Sequence, residues 1–339
     1  MKNAVLAMLI TMSSLLLATN IDPLYDFDYA RVGIKGMYLT GGPEFNLDNA
    51  YYDDSGKKVE GDGYEYSSMD IWIPIRLGYS FNERFSAGVV VPIASLSHKT
   101  ILSTGSEEMT QSNTGLGNPW LWGKGCLIGA LANNLRLRLG IKLPFGAYTI
   151  EDQMIDFYND PNSDIKLITG DKSLAFDLAV VFTSRNQSSQ FRLDGQAAIR
   201  YSMEGTYMYD IIDQSASSVT VEEKITPGIW INLRAMPGMA FFSSKSLEAY
   251  LWLEYAMQLT HDKKKSTTGG IDNGEMKTSG KSLFTTGIRA DVLFDPNNVL
   301  ELKFLYDVMA VGGKTGPNTF DAMPAGMSFG LGYFGYIPM

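Results

Sequence analysis

Leu135-Arg136-Leu137-Arg138-Leu139-Gly140-Ile141-Lys142-Leu143-Pro144-Phe145 is the stretch whose reading decides the fold. Its apolar residues, Leu135, Leu137, Leu139, Ile141, Leu143 and Phe145, fall on one parity. Arg136, Arg138, Gly140, Lys142 and Pro144 fall on the other. A period of two is that of a β-strand, with one face for an apolar medium and one for a polar medium. A strand of a soluble sandwich also alternates, but its polar face looks at bulk water. The recurrence of the pattern along the chain decides between the two.

Upstream, Ser67–Phe81 sets Met69, Ile71, Ile73, Ile75, Leu77, Tyr79 and Phe81 against Asp70, Trp72, Pro74, Arg76 and Ser80. After a turn at Asn82-Glu83, Arg84–Ser97 presents Phe85, Ala87, Val89, Val91 and Ile93 on its apolar face. Gly115–Ile128 turns Asn118, Trp120, Trp122 and Lys124 to the polar face. Downstream the alternation returns in Ser173–Ser184, Gln190–Met203, Glu223–Ala235, Leu247–Thr260, Lys281–Phe294, Val299–Val311 and Gly326–Ile337. With Asp28–Thr40 at the front, the count is twelve strands.

Connections alternate in length. Long loops are expected at Gly41–Tyr66, His98–Thr114, Gly146–Lys172, Glu204–Glu222, His261–Gly280 and Gly312–Ala325. Short turns are expected at Asn82-Glu83, Ala130–Asn134, Asn186–Ser189, Pro237-Gly238 and Asp295-Pro296-Asn297-Asn298. An even number of alternating strands, with short turns at one end and long loops at the other, describes an all-β transmembrane antiparallel barrel of the outer-membrane type. Lipid forces closure, because an open edge would leave backbone donors and acceptors unpaired in hydrocarbon. Tyr79, Phe81 and Phe85 read as a lower aromatic girdle, and Tyr38, Phe145, Tyr201 and Tyr255 as an upper one.

Residues 1–20 read as a secretory signal peptide, with Lys2 before an apolar core from Ala4 to Leu17, and 21–339 as the barrel. The formal net charge of −9 argues against a nucleic-acid partner. The single cysteine, Cys126, excludes a disulfide within the chain and a cysteine-rich metal site. Asp53-Asp54 and Glu60-Gly61-Asp62 match no calcium-loop spacing and read as a solvated acidic loop, so no metal or cofactor is expected.

The polar faces give the candidate solute path. They carry Arg76, Lys124, Arg136, Arg138, Lys142, Arg192, Arg200, Lys224, Arg234, Arg289 and Lys303. Against these stand Asp70, Asp177, Asp194, Glu248, Glu254, Asp291, Glu301 and Asp307. Such pairs either fill the interior or lay a charged ladder along a conduit. All five tryptophans, Trp72, Trp120, Trp122, Trp230 and Trp252, share the inward parity. They either pack a narrow interior or offer stacking surfaces to an aromatic solute. Pro74 and Pro92 fall opposite each other when counted from one turn, and Pro119 and Pro144 when counted from the next. Proline cannot donate to a ladder, so these four mark either ordinary bulges or a kinked wall with a lateral exit.

Val90-Val91-Pro92-Ile93, Gly115-Leu116-Gly117-Asn118-Pro119-Trp120 and Gly140-Ile141-Lys142-Leu143-Pro144-Phe145-Gly146 resemble recurring segments of outer-membrane proteins linked to the meta-pathway of phenol degradation. That family is related in style to the long-chain fatty-acid channels. The resemblance implies a transporter of aromatic or hydrophobic compounds, with Asn118 where the family usually has Asp. It also implies handling by the barrel-assembly machinery, although the chain ends in Ile337-Pro338-Met339 rather than an aromatic residue.

An enzyme is not expected. His98 and His261 are the only histidines, and no G-x-S-x-G motif accompanies them. The expected function is passive uptake of small hydrophobic or aromatic compounds across a bacterial outer membrane, with membrane lipid and the solute as partners. The alternatives are a structural or adhesive barrel without transport, and an outer-membrane lipid hydrolase.

Overall fold

The computed structural model describes residues 35–58, 64–102, 108–130, 133–145, 154–155, 172–185, 189–212, 218–242, 246–278, 280–295, 297–316, 319–321 and 323–339. The expected signal peptide, the start of the first expected strand with Val32 and Ile34, most of Gly146–Lys172, and Glu60 to Asp62 lie outside them.

The barrel has twelve staves. Stave 1 is β1 (Gly36–Gly41) continued by β2 (Glu44–Tyr52), stave 2 is β3 (Tyr64–Ser80), and stave 3 is β4 (Phe85–Leu102). Stave 4 is β5 (Glu108–Leu116) with β6 (Trp120–Ala130), and stave 5 is β7 (Asn133–Lys142). A short β8 (Met154–Ile155) follows, then stave 6, β9 (Ala175–Ser184). Stave 7 is β10 (Phe191–Ser202) with β11 (Gly205–Ile212), and stave 8 is β12 (Ser218–Thr226) with β13 (Trp230–Phe241). Stave 9 is β14 (Leu247–Gln258) with β15 (Asp262–Thr268), and stave 10 is β16 (Ile271–Thr278) with β17 (Ser282–Asp295). Stave 11 is β18 (Asn298–Val311) with β19 (Gly313–Gly316), and stave 12 is β20 (Thr319–Asp321) with β21 (Met323–Pro338).

Neighbours in sequence pair antiparallel, and β21 returns to β1 and β2, with Gly36 opposite Pro338 and Glu44 opposite Gly330. No edge is left at this seam. The outward parity is apolar on every stave: Leu139 is 58% exposed, Ile288 62% and Leu77 47%. So wide an apolar surface suits lipid and not water. The crossing is made by strands; no described helix is long and apolar enough to do it.

At the lower rim the turn chemistry follows the sequence. Asn82 Oδ1 accepts from the Arg84 and Phe85 amides at 2.8 and 3.0 Å. Asp295 Oδ1 accepts from the Asn297 amide at 2.6 Å. The expected turn at Pro237-Gly238 is not there. β13 runs through it, with Pro237 opposite Leu193 and Gly238 opposite Tyr250, and the chain turns after Phe242, whose φ is +64°. Gly238 sits mid-strand because the Tyr250 ring occupies the space where its Cβ would project.

The upper ends differ more. All six expected loops contain strand residues: β2 in Gly41–Tyr66, the end of β4 with β5 in His98–Thr114, β8 in Gly146–Lys172, β11 and β12 in Glu204–Glu222, and the β15–β16 hairpin in His261–Gly280. β19 and β20 lie in Gly312–Ala325. On staves 4, 7, 8 and 10 the physical reason is a change of parity; on staves 1 and 9 the phase holds, with Thr40 and Glu44, and Gln258 and Asp262, all buried. At Gly117-Asn118-Pro119 stave 4 holds one extra residue: Leu116 pairs with Ile93, but Trp120 pairs with Val90. A one-residue shift exchanges the two faces of everything beyond it. The same exchange occurs at Met203-Glu204, at Pro227-Gly228-Ile229 and between Thr278 and Ser282. Below these breaks Ser202, Arg234 and Thr285 face inward, and above them Gly205, Glu223 and Thr278 do. Lys224 is therefore exposed, not inward, and Ile225 is buried, not outward. Beyond the breaks, β8, β11, β12, β15 and β16 form a five-stranded sheet that continues staves 7–10 past the apolar belt.

Candidate functional site: the barrel lumen

One side of the lower lumen is aromatic and aliphatic. Tyr38, Val90, Trp120, Trp122, Val299, Phe334 and Tyr336 form one buried cluster. The Tyr38 ring lies 6.0 Å from both the Trp122 and Phe334 rings. Tyr38 is thus an inward residue, 2% exposed, and not part of the upper girdle. Glycine makes the room. Tyr38 pairs with Gly78 and Trp122 with Gly88, and each ring covers the glycine across from it. This is the aromatic–glycine pairing that stabilises sheets where a side chain is missing.

The other side is charged, and the charges meet in pairs. Arg138 Nη2 donates to Asp177 at 2.9 Å, and Arg200 reaches the second oxygen of Asp177 at 3.4 Å. Arg185 bridges Asp194 at 2.8 Å and Glu248 at 3.0 Å, and Arg192 donates to Glu248 at 2.8 Å. Tyr250 Oη donates to Glu248 at 2.8 Å. Arg289 holds Asp291 at 2.7 Å and Glu301 at 2.8 Å, and Lys303 holds Glu44 at 2.8 Å. Arg234 donates to Glu254 at 3.0 Å, and the Trp252 indole N–H donates to the same carboxylate at 2.9 Å. Arg138, Arg289 and Asp291 are 2% exposed or less. The lower lumen is a packed floor. Desolvating so many charges is tolerable only because partners are in place.

Three tryptophans sit beneath cations. Arg200 lies over Trp120 at 4.9 Å, and Lys124 over Trp122 at 4.9 Å. Trp252 has Arg234 at 4.5 Å and Lys303 at 5.9 Å. The other two stand higher. Trp72 packs against Ala94 and Leu96. Trp230 and Tyr52 pack against Leu283, Ala310, Met323 and Ala325. These two apolar patches line the upper lumen above the charged floor.

All ten residues of the expected solute path therefore stand on the lumen side: Trp72, Trp120, Trp122, Trp230, Trp252, Arg76, Lys124, Arg136, Arg138 and Glu254. Five of the charged ones are in the floor or beside it, and only Trp72 and Trp230 are in the upper patches. Reading by sequence missed Glu44, Arg185, Asp262 and the Leu283–Met323 patch. Glu44 and Asp262 fall within stretches read as loops, where an alternation continued past a break would have placed them inward. Arg185 sits at a turn and carries no periodic signal.

The prolines separate into two kinds. Pro74 and Pro92 are direct partners, and the β3–β4 register passes through them without a shift, so no bulge lies there. Pro119 and Pro144 lie where a ladder ends. β6 starts at Trp120, β7 stops at Lys142, and the last rung is the Leu143 amide donating to the Pro119 carbonyl at 2.8 Å. Above it, β5 pairs only with β4 among the described residues. His98 belongs to stave 3 and His261 to stave 9, six staves apart around the barrel.

A closed barrel with an apolar exterior and a polar, aromatic-lined interior defines an outer-membrane β-barrel protein. No family model matches the chain, and no curated protein matches it. Among solved structures it is similar to an outer membrane channel from Pseudomonas putida, with a TM-score of 0.59 at 12% identity, over 93% of this chain and 100% of that one. It is also similar to the transport unit of an Escherichia coli autotransporter, with a TM-score of 0.44 at 12% identity, over 96% and 97%. A Pseudomonas aeruginosa homologue of the FadL type gives 0.40 at 10% identity, over 91% and 93%. The first likeness is one of fold; the other two carry no argument.

Proposed function

We propose that this protein is an outer-membrane channel for passive uptake of small apolar or aromatic molecules. The observation that carries the reading is the pair of apolar patches in the upper lumen, where Trp72 with Ala94 and Leu96, and Trp230 with Leu283 and Met323, face the interior. Aliphatic walls with a few aromatic faces suit solutes of this class. The solute enters from above, stacks on Trp72 and Trp230, and meets the salt-bridged floor. Its way out is sideways into the bilayer, past the end of the β6–β7 ladder at Pro119 and Pro144. The fold that this protein shares with the outer membrane channel of Pseudomonas putida supports this reading.

A second reading, a structural or adhesive barrel that passes nothing, is favoured by the packed floor. Liposome swelling with aromatic and sugar solutes of matched mass decides between them. The expected result is faster entry of the aromatic solutes, reduced by Trp72→Ala with Trp230→Ala. Equal entry of sugars and aromatics overturns the uptake reading, and no entry of either establishes the second one.

A further inference from the structure

We infer that the floor of the lumen holds a binding site for a small monovalent anion. A cavity there is lined by Lys124, Arg138, Arg234 and Arg289, together with Gln196 and Asp194. The four cations come from staves 4, 5, 8 and 10 and are 4%, 1%, 5% and 2% exposed. Only one carboxylate, Asp194, lines the same space, and Arg185 holds it at 2.8 Å.

The ion pairs explain how four cations can converge. Arg138 is paired with Asp177, Arg234 with Glu254, and Arg289 with Asp291 and Glu301. None of those carboxylates lines the cavity. Each pair is therefore a dipole whose positive end faces the cavity and whose negative end lies behind it. Lys124 adds a further ammonium, held over the Trp122 ring at 4.9 Å. Guanidinium and ammonium donors fixed around a desolvated space bind an anion more strongly than water, because the donors are already in position and the surrounding medium screens little. The ligand class is a halide or the carboxylate head of an organic acid.

The inference does not rest on the uptake reading, because its readout is ion binding and not flux. The full chain, folded in detergent micelles, is melted in sodium gluconate, sodium bromide and sodium benzoate at equal ionic strength. Gluconate is the reference, as a large and strongly hydrated anion. Bromide, benzoate or both are expected to raise the melting temperature in a saturable way, by about 2–4 °C. A bromide response shows that a free halide fits, and a benzoate response that a carboxylate head does. Lys124→Met is expected to abolish the rise. Should that variant not fold, crystals of the native protein grown in bromide are expected to show an anomalous peak between Arg138 and Arg289. Superposed melting curves in all three salts, a rise retained in Lys124→Met, or a floor empty of both anions in crystals grown in bromide and in benzoate would each overturn the assignment.

Discussion

Gly88 and Trp122 show how little freedom the inward residues have. A Cβ on Gly88 would lie 2.2 Å from the Leu77 carbonyl oxygen and 2.6 Å from the indole ring. Backbone on one side and a packed ring on the other leave no direction for relief. Gly88→Leu is expected to destabilise the folded barrel by about 1–3 kcal/mol or to block its assembly, whereas the lipid-facing Val89→Leu is close to neutral. Urea unfolding in vesicles measures both. Asp177 is the second residue on which much depends, since both Arg138 and Arg200 point at it. Asp177→Ala is expected to cost about 3–5 kcal/mol by stranding a buried guanidinium, and Arg138→Met with Asp177→Leu to cost less than that single change. Parity made these residues legible: Asp177 and Trp122 fall on the polar side of their strands in the sequence itself. The pairings were not legible, because the partner of a lumen charge is set by the stagger between strands. Nothing along the chain announces that Lys303 meets Glu44.

At the scale of the strand, the extra residue at Gly117-Asn118-Pro119 is the feature with the most consequence. It lets one stave present Leu116, 51% exposed, and Leu121, 46% exposed, to lipid, although the two differ in parity. Deleting Asn118 forces one half of the stave to turn its apolar side inward. The expected outcome is loss of the compact, heat-modifiable band on gel electrophoresis. Deleting Gly269 and Gly270 at the tip of the β15–β16 hairpin shortens only the part above the membrane and is expected to leave that band in place. The breaks also explain what sequence reading took for loops. An alternation test that holds its phase loses the strand wherever the phase changes, as on staves 7 and 8, whereas Asp262-Lys263-Lys264-Lys265 keeps the phase of Gln258 and looks like solvated coil only because both its faces are polar. A test that lets the phase reset at Pro227-Gly228 or Gly117-Asn118-Pro119 would have carried the strands through.

For the molecule as a whole, the floor sets what crosses. Tyr250, Arg289 and Asp291 are nearly inaccessible, and the Tyr38, Trp122 and Phe334 rings close the other side. In planar bilayers the native protein is expected to pass no steady ion current. Arg138→Ala with Tyr250→Ala and Arg289→Ala is expected to open a persistent conductance, and a native protein already conducting at that level would show the floor to be porous. Closure itself could be read from sequence, because twelve alternating segments in lipid have nowhere to leave an edge. Whether the interior is open or filled could not, since Arg138 and Tyr250 obey the same alternation in either case.

The paired breaks on staves 7 and 8 bear on how such a chain can change over time. Arg200 faces Trp230 below them and Gly205 faces Ile225 above, so both strands lengthen by the same amount and stay in step. A residue gained on one of these two alone would need a bulge against its neighbour, as the extra residue of stave 4 has against stave 3. Relatives of this protein should then drift freely in the size of their outer hairpins, while inside the wall their insertions and deletions should be confined to these breaks.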